Sequence, residues 1–290
     1  MKKLMGLTFL LMAVFEISTA AISYSAFSVE VSGTGQPLLL IPGATCSGHE
    51  WDETVSHFKG KFQFHVFTLA GYAGLAPLKN GPYLDSFRFQ IEQYIRDRRL
   101  TRVILMGHSI GGFLCLQMGI DSLPEIQKIV VVDAMPFFAG AMNPAATAGF
   151  SEEKAKMTLA AYNSMNDTAM FKNQLAAAKY LCNDSTYWNQ IATWGMRSDK
   201  KTVAYSIMEM MGNDLRQSIS SIQVPVLVLA AYNISPQFPA YTREFALKTY
   251  ISQYEECGKC SIDMAEGGTK HFIMYDNPEW MYKELDGFIL

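Results

Sequence analysis

Gly107-His108-Ser109-Ile110-Gly111-Gly112 stands between two apolar stretches of different kind and restricts the fold more than any other part of this chain. Before it, residues 103–106 (VILM) read as a strand with no polar face. After it, residues 110–120 are long and apolar enough for a buried helix. A G-x-S-x-G string in that setting makes a sharp strand-to-helix turn. The serine then projects from the edge of a sheet, and the glycines leave room for strand and helix to approach. The first N–H of the helix faces the place where an oxyanion would develop.

The rest of the chain repeats the alternation. Residues 38–41 (LLLI), 64–69 (FHVFTL), 129–132 (IVVV) and 226–230 (VLVLA) are short and mostly or wholly apolar. Between them, residues 84–98 carry Phe87, Ile91 and Ile95 on one helical face. Residues 23–31 alternate and run into Gly33-Thr34-Gly35, which predicts an antiparallel strand and a turn. Residues 261–264 form a weaker last strand, and Pro278 opens a helix that runs to Leu290. Strands apolar on both faces imply a parallel sheet covered by helices on both sides, an α/β architecture. Residues 140–215 break the rhythm. They hold no strand-like run, only Ala- and Met-rich helical stretches at 151–165, 168–181 and 201–211. This predicts an α/β core over 21–139 and 216–290 with a helical cap inserted at 140–215.

The N-terminus reads as a separate signal. Lys2 and Lys3 precede an apolar run over 4–15, and small residues follow at 18–21. The run is shorter than the ~20 residues of a membrane span, so residues 1–20 are expected to be a cleaved export signal, with an uncleaved anchor as the alternative. The chain has 290 residues, 24 Lys+Arg and 27 Asp+Glu, a net charge of −3, and is 49% hydrophobic. That apolar fraction excludes a disordered chain, and the mild acidity offers no basic footprint for nucleic acid. Losing residues 1–20 removes two Lys and one Glu and makes the charge one unit more negative. Export implies a periplasmic or secreted location and an oxidising compartment. Cys257 and Cys260 are spaced as a local disulfide or as two loop thiols. No Cys or His pair at zinc spacing accompanies them, so no metal site is expected. Cys46, Cys115 and Cys182 are singletons. Oligomeric state has no signal in the sequence.

The remaining chemistry follows from order along the chain. In a fold of this kind an acid and then a histidine follow the serine. Of His49, His57, His65, His108 and His271, only His271 comes after Ser109. It lies just past the last strand, in a Gly267-Gly268 loop able to carry an imidazole back to the serine. The oxyanion donors are expected to be the N–H of Ile110 and, from the Pro42-Gly43-Ala44-Thr45 loop, that of Ala44.

These segments resemble the α/β-hydrolase superfamily over about residues 35–290. The resemblance is carried by LLLIPGATCSGHEW, FTLAGYAG, GHSIGG, IVVVDAMP, VPVLVLAAYN and KHFIMYDNPEW. Among its branches the chain is most similar to small capped carboxylesterases and lactonases. Serine rather than aspartate at the turn argues against epoxide hydrolases and haloalkane dehalogenases. The resemblance implies a mostly parallel eight-stranded sheet with the cap after the sixth strand. It also exposes a departure. The family's acid usually follows the strand that is VLVLA here, yet residues 231–236 (AYNISP) hold no carboxylate. Asp133, after IVVV, matches the position some branches use, with Asn233 as the alternative orienter of the imidazole. Asp263 and Asp276 read as structural. His49, Trp51, Tyr72 and Phe137 lie in segments expected to reach the mouth of the site. Met157, Met165, Met170, Met208, Met210 and Met211 either line an acyl pocket or pack on the core. The expectation is a serine hydrolase that cleaves a small or medium carboxylic ester, or a lactone, through Ser109, His271 and Asp133. It needs no cofactor or metal, and its partner is the small-molecule ester. A non-catalytic binding protein on the same fold, or a peptidase, is the alternative.

Overall fold

Side chains of a strand point alternately to opposite sides of its sheet, so a continuous apolar run feeds two cores at once. The computed structural model describes residues 23–232 and 242–290, and this division is visible in it. Its strands are β1 (Phe27–Gly33), β2 (Gln36–Ile41), β3 (Phe62–Leu69), β4 (Val103–His108), β5 (Ile126–Val132), β6 (Val226–Ala230) and β7 (Cys260–Met264). Leu39, Ile41, Val103, Leu105, Ile129, Val131, Val226 and Val228 enter one core. Their neighbours Leu38, Leu40, Ile104, Met106, Val130, Val132, Leu227 and Leu229 enter the other.

The strand order is β1-β3-β2-β4-β5-β6-β7, with β1 antiparallel to β3 and the remaining pairs parallel. The described residues thus hold seven strands, one fewer than the eight the resemblance implies. With β7 taken as the eighth of that expected set and β6 as the seventh, β5 is the sixth. The opening strand begins at Phe27 rather than at residue 23. Residues 1–22, which include the expected signal, lie outside the described residues. Among the described residues no helix is long and apolar enough to cross a membrane.

Helices cover both faces. They are α1 (Asp52–His57), α2 (Tyr83–Asp97), α3 (Ile110–Ile120), α4 (Phe138–Met142), α5 (Glu152–Ser164), α6 (Asp167–Leu181), α7 (Trp188–Arg197), α8 (Lys200–Gly212), α9 (Arg243–Gln253), α10 (Ile273–Asp276) and α11 (Pro278–Ile289). Phe87, Ile91 and Ile95 of α2 recur every fourth residue and are fully buried in the first core with Phe113 and Leu114 of α3. Met281, Leu285 and Ile289 of α11 fill the second. Cys257 and Cys260 are joined as a disulfide beside β7. Cys46, Cys115 and Cys182 are buried free thiols.

Helices α4 to α8 form the insertion between β5 and β6. Three of them start at a side-chain cap, because Ser, Asn and Asp can bond the orphan N–H groups of a first turn. Ser151 accepts from Lys154 N–H, Asn166 from Ala169 N–H, and Asp199 from Thr202 N–H at 2.7 Å. Helix α2 instead begins at Pro82 with no side-chain cap of its own. Glu209 of α8 supplies one, accepting the N–H groups of Tyr83 at 3.0 Å and Leu84 at 2.8 Å. An acidic group at a helix N-terminus also meets the positive end of its dipole. The insertion is thereby fastened to the core through α2.

Close packing makes alanine substitutions at glycine opposite in sign. At Gly111 of α3 a methyl group would stand 2.3 Å from the Ile41 carbonyl oxygen and 2.7 Å from that of Pro42. Gly111→Ala is expected to cost about 3 kcal/mol or more, since backbone and not a flexible side chain has to yield. At Gly287, exposed in α11, the methyl meets nothing within 4 Å. Gly287→Ala is expected to gain about 0.5–1 kcal/mol from helix propensity. Thermal unfolding of the two variants beside the wild type checks both signs.

Candidate active site

The carboxyl ends of β2, β4 and β5 lie side by side, and each is followed by a non-glycine residue with positive φ. These are Thr45 (φ 65°), Ser109 (φ 54°) and Asp133 (φ 47°). Backbone of this kind is costly and persists where the surroundings over-determine it. At Ser109 the surroundings are specific. Its N–H donates to the Val132 carbonyl at 2.9 Å, and its carbonyl accepts from Phe113 N–H at 3.0 Å. A Cβ on Gly107 would stand 2.2 Å from the Gly111 carbonyl oxygen, so β4 and α3 nearly touch behind the serine. Ser109 is half-buried at the tip of the turn.

Asp133 is held as tightly. Its N–H donates to the Leu229 carbonyl at 2.8 Å, which ties the end of β5 to β6. Its Oδ2 lies 2.5 Å from Nδ1 of His271. Its Oδ1 accepts from the Tyr250 hydroxyl of α9 at 2.5 Å and from the Ala231 N–H at 3.0 Å. Burial would push this carboxyl up, yet the bonds from His271, Tyr250 and Ala231 favour the anion and hold it below the usual carboxylate range. With Nδ1 of His271 committed to Asp133, Nε2 is the nitrogen left to exchange a proton.

The loop bearing His271 is fixed from the insertion. Asp276 Oδ2 accepts the Lys270 N–H at 3.0 Å, and its Oδ1 accepts the Asn183 N–H at 2.8 Å just beyond α6. Asn183 Nδ2 in turn donates to the Gly268 carbonyl at 3.1 Å, and Phe272 N–H donates to the Leu181 carbonyl at 3.2 Å. The imidazole rings of His271 and His108 are 4.4 Å apart, which places His271 over the residue preceding Ser109.

The two backbone donors named from the sequence stand near this edge. Ile110 is the first residue of α3, and an N–H there has no intrahelical acceptor. In the loop after β2, Gly43 N–H is taken by Glu50 Oε2 at 2.9 Å, and Cys46 N–H donates to the Gly43 carbonyl at 3.1 Å. No acceptor among the described residues holds the Ala44 N–H between them. A Cβ on Gly43 would lie 3.5 Å from that of Ser109, so this loop runs directly beside the serine.

Other expectations change. Trp51, Tyr72 and Phe137 do not open on a mouth; all three side chains are fully buried. Trp51 packs in the second core, Tyr72 bonds Ser206 of α8 at 2.7 Å, and Phe137 lies under the Arg216 guanidinium. Large aromatic surfaces are worth more inside the core than at its rim. His49 is exposed and pairs with Asp52 at 3.2 Å. Met170 is buried, Met210 packs against the first core, and Met157 is exposed. Asn233 lies outside the described residues. The sequence carried no signal for Tyr250 or for the clamp made by Asp276, because both act across distances that only the fold closes. Among the described residues no group of His, Cys, Asp and Glu is arranged to hold a metal ion.

Comparison with known proteins agrees with this architecture. The profile of the alpha/beta hydrolase family matches residues 38–284. The pimeloyl-(acyl-carrier protein) methyl ester esterase of Vibrio atlanticus is 32% identical over 114 residues, covering 39% of this chain and 42% of that protein. The match thus spans about two fifths of that relative's length. The protein of the same name from Nitrosomonas europaea is 22% identical over 244 residues, covering 81% of this chain and 92% of its own. Among solved structures, an esterase from Exiguobacterium antarcticum superposes with a TM-score of 0.73 at 16% identity, over 92% of this chain and 98% of that one. At that identity the likeness concerns the fold. The matched profile spans nearly the whole described chain, and on that ground this protein belongs to the alpha/beta hydrolase family.

Proposed function

We propose that this protein is a serine hydrolase that cleaves small or medium uncharged carboxylic esters through an acyl-enzyme. The observation that carries the reading is the Asp133–His271 contact of 2.5 Å, made at the same sheet edge that presents Ser109 on a strained turn. Ser109 Oγ attacks the ester carbonyl while His271 Nε2 takes its proton. Asp133 keeps the Nδ1–H tautomer and balances the imidazolium that forms. The N–H groups of Ala44 and Ile110 receive the oxyanion, each worth about 10²–10³ in rate in comparable sites. The protonated His271 then gives its proton to the departing alcohol. Water, activated by the same imidazole, releases the acid and restores Ser109.

The names of the relatives support an ester as the bond cleaved. An exported protein fits the signal-like first twenty residues and the Cys257–Cys260 disulfide, which persists in oxidising compartments. The helical insertion, joined to the His271 loop through Asp276, acts in this reading as the cap over the acyl site.

Turnover of p-nitrophenyl esters of graded acyl length tests the proposal. Ser109→Ala is expected to lose at least about 10³-fold in kcat, and Asp133→Asn about 10²–10⁴-fold through loss of the imidazole tautomer. A fluorophosphonate is expected to label wild type at Ser109. A wild type that neither turns over esters nor takes the label would move the protein to the non-catalytic alternative.

The ionised Asp133 also has a signature in stability. Its pKa is lower folded than unfolded, so its contribution is fully present above the unfolded value of about 3.9 and is lost as pH falls through the folded value. The stability difference between wild type and Asp133→Asn is therefore expected to hold above about pH 5 and to narrow below about pH 4. Urea unfolding at a series of pH values measures it.

A further inference from the structure

One charged contact lies directly beneath the site and has no part in the chemistry above. Glu50, in the short helical turn Gly48–Trp51, and His108, at the end of β4, have side chains 0% and 1% exposed. Glu50 Oε1 is 2.5 Å from His108 Nδ1. Glu50 Oε2 accepts the Gly43 N–H at 2.9 Å, and His108 Nε2 donates to the carbonyl oxygen of His271 at 3.0 Å.

We propose that Glu50 and His108 are positioning residues of the Ser109 site, a buried ion pair that sets the oxyanion loop, the serine turn and the His271 backbone in register. The inference rests on the serine-hydrolase reading. Each end of the pair reaches a different moving part. Gly43 precedes the proposed donor Ala44, His108 precedes Ser109, and the carbonyl that His108 holds belongs to the proposed base itself. The loop is pressed against the pair, since a Cβ on Gly43 would stand 2.7 Å from His108 Nδ1. Neither side chain reaches solvent or the carbonyl to be attacked, so the pair acts on geometry and not on substrate.

The charges are consistent with one another. With Nε2 donating to a carbonyl and Nδ1 2.5 Å from a carboxylate, the surroundings of His108 favour its protonated form. Burial alone would lower the His108 pKa, but the Glu50 carboxylate beside it, with a further contribution from Asp133, raises it. A buried ion pair is seldom the most stable filling of a core, since apolar residues of like volume do as well or better. What this pair adds is direction. Its two backbone hydrogen bonds, to Gly43 and to His271, hold those segments beside the serine turn that His108 itself leads into, where displacements of about 1 Å cost on the order of 10²-fold in rate.

The test compares wild type, Ser109→Ala, Glu50→Gln, His108→Gln and the double variant Glu50→Gln/His108→Gln on one p-nitrophenyl ester. Thermal unfolding is measured alongside. Each single change is expected to lower kcat about 10–100-fold while KM stays within about threefold, and to slow fluorophosphonate labelling of Ser109 by a similar factor. The double variant is expected to be no slower than the worse single one, because the two act as a unit. Glu50→Asp keeps the charge on a shorter stem and is expected to recover part of the loss. His108→Gln carries the test if Glu50→Gln does not fold. A folded Glu50→Gln or His108→Gln protein with kcat within about twofold of wild type, whatever its melting temperature, would overturn the positioning role and leave the serine-hydrolase reading intact. A wild type without turnover or labelling would overturn both.

Discussion

No side chain fits where α3 crosses behind the serine turn. A methyl group on Gly107 would be 2.2 Å from the Gly111 carbonyl oxygen, and one on Gly111 would be 2.3 Å from that of Ile41. This close passage lets β4 be followed by a residue with φ of 54° and still hand the chain to a helix whose first N–H has no intrahelical acceptor. The parallel order β2-β4-β5-β6 follows from the same core, because strands apolar on both faces bury best at the centre of a covered sheet. Once that order exists, the loops after β2, β4 and β5 have to share one edge.

The strain at that edge is held by paired groups and not by apolar packing alone. Asp133 has three donors, Tyr250, Ala231 and His271, and the bonds they make keep it ionised in spite of burial. Glu50 and His108 place opposite charges in contact one layer below. In a medium of low polarity such groups are costly when unpaired and strongly directional when paired. The proposed catalytic groups thus stand on a frame of polar contacts, each of which fixes a backbone segment.

The helical insertion shares in this frame. Glu209 caps α2, Asp276 joins the α6 end to the His271 loop, and Ser206 meets the buried hydroxyl of Tyr72. These polar links join the insertion to the core, and they make it part of the structure that orients the imidazole. The site therefore depends on residues from both sides of the insertion.

Local pattern was enough for much of this. Residues 110–120 and 226–230 are helix and strand in the structure over the spans their apolar runs define, because burial on every side leaves continuous apolar runs and their lengths, eleven residues and five, separate helix from strand. Ser109 was legible from its glycines, and His271 from its place in the chain order. Helix α9 was not foreseen: its residues are mixed and its buried face is narrow, with Ala246, Tyr250 and Gln253 inward. The eighth strand implied by resemblance is absent from the described residues, and aromatic residues read as site lining proved to be core. What the sequence by itself determined is the alternation of elements and the strained serine turn, since both are set by neighbours a few positions apart. Only the tertiary structure decided that Asp133 meets His271 across 138 positions, that Glu50 lies under His108, and that Asp276 ties the insertion to the imidazole loop. A charged side chain shows nothing of its partner in sequence, because the field that selects that partner exists only after the sheet has brought the loops together.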